Sequence, residues 1–129
     1  MRILLDTHTF LWFIQDNPRL SAHAQELIED QNNEILLSIA SIWEIAIKIS
    51  IGKLRLNATF DDIFPSQLQN NNIQALPLAI EHLSIITTLP MHHRAPFDRL
   101  IIAQAIALNI PIIGVDAAFD SYPVQREWE

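Results

Sequence analysis

Cysteine is missing from this 129-residue chain. Its absence excludes a disulfide framework and a thiolate zinc site and suits a reducing compartment such as the cytoplasm. Long apolar runs are missing too. The most apolar region, Leu36 to Ile51, is interrupted by Glu44 and Lys48 and is too short to span a bilayer. Met1 is followed directly by Arg2 and an apolar run, which leaves no room for a signal peptide. Repeats, low-complexity tracts and linkers are absent, and only His92-His93-Arg94-Ala95-Pro96 reads as a polar connection. Basic residues are scarce: eight Lys and Arg stand against fifteen Asp and Glu, a net charge of −7. In bulk that deficit argues against a nucleic-acid partner, because phosphate affinity comes from Lys and Arg releasing counterions. Clustered carboxylates that bind a divalent metal reverse the argument, because the ion makes the site attractive. Where the acids lie therefore matters more than how many there are.

What is present suffices for one domain over residues 1–129, soluble and cytoplasmic, with no membrane association. Half of the residues are hydrophobic (50%), enough for a core at this length. Apolar runs at Arg2–Leu5, Ile35–Leu37, Ile73–Leu76 and Ile110–Val115 read as buried strands, with a last short strand near Val124. Between them the spacing predicts helices over Thr7–Ile14, Ser21–Asp30, Ser41–Ser50, Phe60–Gln69, Ala79–Thr87 and Pro96–Leu108. The punctuation fits: Thr7 and Ser21 can cap, Asn17-Pro18 breaks, Gly52 ends a helix and Pro96 opens one. Alternating strands and helices predict a three-layer α/β/α domain with a mainly parallel central sheet of four to five strands.

In an open parallel sheet, sites form beyond the carboxyl ends of the strands. Asp6 ends the first strand and Asp116 ends the fourth. Glu44 lies in the first turn of the helix that follows the second strand. Asp98 lies in the first turn of the helix that feeds the fourth. Topology thus directs four acids to one rim. Crowded carboxylates repel unless protonated or metal-bound, and oxygen-only ligands suit Mg²⁺ or Mn²⁺. Each acid also has a plain structural reading. Asp6 can cap a helix. Glu44 can complete a capping box with Ser41 or pair with Lys48. Asp98 can favour its helix dipole, and Asp116 can serve a turn. His8, His92 and His93 show no metal-binding spacing; His93 and Arg94 read as rim residues. Trp12 and Trp43 read as core or interface aromatics. Lys48, Lys53, Arg55, Arg94 and Arg99 are candidates to track a phosphate backbone, or solvated surface charges.

The segments "LLDTHTFLWFI", "SIASIWEIAIKISIGKL", "HHRAPFDRLIIAQA" and "GVDAAFDSYPV" resemble the PIN-domain ribonucleases, and most closely the VapC-type toxins of bacterial toxin–antitoxin pairs. The resemblance runs from the first strand to Val124. It implies an acidic site at Asp6, Glu44, Asp98 and Asp116, with Asp6, Asp98 and Asp116 as metal ligands. It further implies Mg²⁺- or Mn²⁺-dependent endonucleolytic cleavage of RNA, homodimerisation, and inhibition by a cognate antitoxin protein. Ala95 stands where close relatives often carry an acid, and Asp120 is an extra acid with no role assigned. Two other readings compete. An aspartyl-nucleophile phosphatase or receiver domain would use Asp6, but His8 stands where such phosphatases want a second Asp, and a receiver's acid pair is absent. A non-enzymatic interaction module would use the acids only as caps.

Overall fold

A computed structural model of the chain describes residues 1–92 and 95–129. Five strands form one sheet in the order β3-β2-β1-β4-β5: β1 (Arg2–Leu5), β2 (Glu34–Ser38), β3 (Ile73–Leu76), β4 (Ile112–Ile113) and β5 (Arg126–Glu127). Every pairing is parallel. The expected mainly parallel α/β/α sheet is therefore present. The fourth strand, Ile112–Ile113, is shorter than Ile110–Val115; Pro111 lacks an amide donor to extend it.

Central position explains the apolar character of β1. Ile3, Leu4 and Leu5 are fully buried, as expected for a strand covered on both faces. Alternation sends Ile3 and Leu5 into one layer with Phe10, Ile28, Ile45 and Leu68. Leu4 enters the other with Ile101, Ile102, Phe119 and Tyr122. Helices α1 (Thr7–Ile14) and α2 (Ala22–Glu29) cover the first face. Helices α6 (Ile80–Ile86) and α7 (Pro96–Leu108) cover the second. The sequence predicts one helix over Phe60–Gln69; two short ones stand there, α4 (Phe60–Ile63) and α5 (Ser66–Asn70), because Pro65 cannot continue the first. A 3₁₀ turn, Ala117–Ser121, follows β4. No helix among the described residues is long and apolar enough to cross a membrane.

The helix α3 spans Ile39–Ser50 and so begins two residues before Ser41. Its N-cap is Ser38, whose hydroxyl accepts from the Ala40 amide. This start leaves Glu44 in the second turn and removes the Ser41–Glu44 capping box from consideration. The cap of α1 is Asp6 rather than Thr7.

Candidate active site

Asp6 sits where β1 ends, 4% exposed. Its Oδ1 accepts from the Thr9 amide at 2.7 Å, and its backbone N–H donates to the Ile113 carbonyl of β4 at 3.0 Å. Burial pushes its pKa up to about 6, against the pull of Thr9 and the positive influence of His8, while the charge of Asp98 adds to the rise. Beside it lies Gly114. A Cβ there would fall 2.8 Å from Asp6 Oδ2 and 3.0 Å from the Phe119 ring. Glycine is therefore required by close approach and not by backbone angle. Reading the sequence missed Gly114; the available signal was a glycine, one of only two, between a strand and an acid.

Asp98 occupies the first turn of α7, half-buried. Its charge acts on Asp6, so elements more than ninety residues apart in sequence bring these two acids together. Glu44 projects from α3. One carboxylate oxygen accepts from Thr7 Oγ1 at 2.8 Å and the other receives Lys48 Nζ at 2.8 Å. Thr7 Oγ1 also lies 3.0 Å from Ser41 Oγ, leaving Ser41 to donate to it while Thr7 donates to Glu44. Trp43 and Phe97, each one residue before an acid of the set, meet edge to face at 5.0 Å. That contact ties the Glu44 helix to the Asp98 helix, although Trp43 remains 53% exposed.

Asp116 stands at the same edge, exposed. Its Oδ1 accepts from the Ala118 amide at 2.9 Å as the cap of the 3₁₀ turn. Asp120 forms a two-pronged pair with Arg126 at 3.0 Å on both oxygens, which holds its carboxyl below the usual range. Arg126 also donates to the Gly114 carbonyl at 3.2 Å and feels the charge of Asp116. Asp120 thus has a partner in β5, and the pair braces the turn that carries Asp116.

Of the basic candidates, Arg99 is buried and donates to the carbonyls of Pro90, Leu89 and Ile86. It ties the end of α6 to the chain beyond, and is not a surface charge for a backbone to follow. Lys48 is committed to Glu44. Lys53 and Arg55 are exposed. His93 and Arg94 lie outside the described residues. The apolar residues of α1 are buried or half-buried; the exposed large ones lie elsewhere, among them Trp43, Ile80, Leu83 and Met91.

Among the described residues, no group of three or more acids and histidines is placed to hold a metal ion by itself. Mg²⁺ seldom needs one, since it keeps several waters and binds through one or two carboxylates plus substrate oxygens. The Asp6–Asp98 pair meets that demand. It is all oxygen, its buried member resists carrying a charge alone, and the missing Cβ of Gly114 keeps room at Asp6 Oδ2.

Comparison with known proteins gives one family: the PIN domain matches residues 3–125. A 70-residue stretch is 36% identical to Ribonuclease VapC16 of Mycobacterium tuberculosis, covering 51% of this chain and 48% of that protein. The matched stretch thus spans about half of the relative's length. The fold is similar to VapBC2 from Rickettsia felis bound to a DNA fragment from their promoter, with a TM-score of 0.76 and 18% identity over 100% of both chains. It is also similar to FitAcB from Neisseria gonorrhoeae, with a TM-score of 0.62 and 19% identity over 96% of this chain and 95% of that one. VapBC-1 from nontypeable Haemophilus influenzae gives 0.64 and 16% over 98% and 97%.

Proposed function

This chain belongs to the PIN-domain family, and from that premise we propose that it is an endoribonuclease, using Mg²⁺ or Mn²⁺ to hydrolyse RNA phosphodiester bonds. The observation that carries the proposal is the approach of Asp98 to a buried Asp6 whose ionisation is already opposed by burial. Two such carboxylates are stabilised together by a hard cation and by little else in an all-oxygen site.

Asp6 and Asp98 would hold the ion, with Asp116 at the same edge. The bound cation would draw charge from a phosphate oxygen and lower the pKa of a water. Glu44 orients the attacking water. Its carboxylate is fixed from two sides by Thr7 and Lys48, so its remaining lone pairs point in a set direction. Thr7 and Lys48 are positioning residues. The Trp43–Phe97 contact keeps the Glu44 and Asp98 helices in register.

The chain is further proposed to be the toxin of a toxin–antitoxin pair, acting in the cytoplasm and inhibited by a protein antitoxin. The name of the VapC16 relative supports a ribonuclease, and the similar VapBC2 and VapBC-1 structures support a protein partner. Exposed Trp43, Ile80 and Leu83 support a protein contact such as a homodimer, because a small domain rarely leaves so many large apolar groups to water.

The test is cleavage of a mixed cellular RNA pool with Mg²⁺ or Mn²⁺, with and without a chelator, for the parent and for Asp6→Asn and Asp98→Asn. Cleavage by the parent alone, and only with metal, supports the reading. Undiminished cleavage in excess chelator refutes the metal.

A further inference from the structure

A small cleft of about 190 Å³ opens between α1 and α3. Resting on the ribonuclease reading, we propose that it is the subsite for the nucleotide next to the scissile bond. The phosphate of that nucleotide meets Lys53, and its base enters against Trp12.

Charge is the first support. The chain carries −7, yet among the described residues no carboxylate lines this cleft, while Lys48, Lys53 and His8 do. A larger cleft, of about 580 Å³, is lined by Glu29, Asp30 and Glu34; a third, with Arg55, is also free of acids but has neither an aromatic wall nor a residue bonded to Glu44. Lys53 is exposed, and among the described residues no carboxylate forms a salt bridge with it. Its position is nevertheless set, because the amides of Lys53 and Leu54 both donate to the Lys48 carbonyl, at 2.9 and 3.1 Å. The backbone at Lys53 is thereby anchored to the end of α3 beside the cleft, which puts one exposed cation within reach of a polyanion's backbone.

Location is the second support. Thr7 and Lys48 line the cleft, and both bond Glu44. The cleft therefore adjoins Glu44 through two residues that bond its carboxylate.

Shape is the third. Leu11 and Ile45 give an apolar interior, and Trp12 lines the wall. The indole is held by Trp128 edge to face at 5.9 Å and by His8 at 5.8 Å, so it is a fixed surface. An aromatic wall beside cations is the arrangement that takes an unpaired base and its phosphate. A base within a duplex cannot enter.

The experiment uses a short 2′-O-methyl RNA, which binds without being cut, together with cleavage kinetics on ordinary single-stranded RNA. Lys53→Glu should weaken binding on the order of tenfold and lower the salt dependence by about one phosphate contact. In cleavage it should raise KM and leave kcat nearly unchanged; Lys53→Arg should restore both. Trp12→Leu should alter the base preferred beside the cut. Equal binding and salt dependence for the parent and Lys53→Glu would overturn the subsite, as would no binding of the uncleavable RNA by the parent. So would a Lys53→Glu variant that loses a protein partner but keeps its RNA affinity, which would assign the cleft to that partner. Cleavage without Lys53 dependence sinks the subsite alone; binding that depends on Lys53 without any cleavage sinks the ribonuclease reading and, with it, the placement beside a scissile bond, leaving an RNA-binding cleft.

Discussion

Thr7 donates its hydroxyl hydrogen to Glu44 across 2.8 Å, and through that bond the first turn of α1 fixes the one acid of the set that α3 supplies. The bond is partly sheltered from water, and Lys48 closes the other side of the carboxylate. Thr7→Val keeps the shape and removes the donor. A hydrogen bond to a charged group contributes roughly 2 kcal/mol, so the variant should melt a few degrees lower. Losing the support of a site residue should also reduce kcat on the order of 10- to 100-fold. Thr7→Ser should keep most of both. Calorimetry beside RNA cleavage rates checks this; full activity in Thr7→Val would make the bond incidental.

Asp6 sets a pH dependence whose sign can be worked out. Its folded pKa is about 6 against an ordinary 3.8. Below about pH 4 both the folded and unfolded chains hold the proton, and nothing is lost. Between about pH 4 and 6 the unfolded chain ionises while the folded chain keeps its proton, so stability falls as pH rises. Above that window the deficit is complete, about 3 kcal/mol on the usual conversion. Asp6→Asn keeps a side chain able to cap α1 and carries no charge. Without metal it should melt higher than the parent at neutral pH and level with it near pH 4. A lower melting temperature at neutral pH would show that the Asp6 charge stabilises the fold.

Arg99 holds three carbonyls in the core of the α6–α7 connection. Arg99→Lys keeps the charge but loses the planar fork. The loss should be roughly 2–3 kcal/mol, seen as a lower denaturant midpoint. RNA affinity, measured where the variant is still folded, should not change. A weakened affinity with unchanged stability would return Arg99 to the RNA-binding surface.

Much of the frame could be read in the chain because period and punctuation agreed. The helices Thr7–Ile14 and Pro96–Leu108 and the strand Ile73–Leu76 stand at the boundaries the sequence indicates. Helix α3 began early because Ser38, buried and capping, competes with Ser41 for the same role and local pattern cannot rank two serines. The role of Arg99 was hidden because a buried Arg is recognisable only from the carbonyls around it. For the site, the strand ends pointed to Asp6 and Asp116 at one edge. The demand on Gly114 arises from a contact between β4 and the end of β1, which no local window contains. The Asp120–Arg126 pair likewise depends on the return of β5 to the sheet.

Glu44→Gln is the most direct test of the central claim that Glu44 orients water for RNA hydrolysis beside Asp6 and Asp98. The amide conserves the shape of the side chain, keeps an oxygen for Thr7 and removes a negative charge near the phosphate. RNA binding and RNA cleavage are measured on the same preparation with Mg²⁺. The expected result is RNA bound at least as tightly as by the parent and left uncut. RNA cut at near the parent rate would contradict the claim and reduce Glu44 to a partner of Thr7 and Lys48.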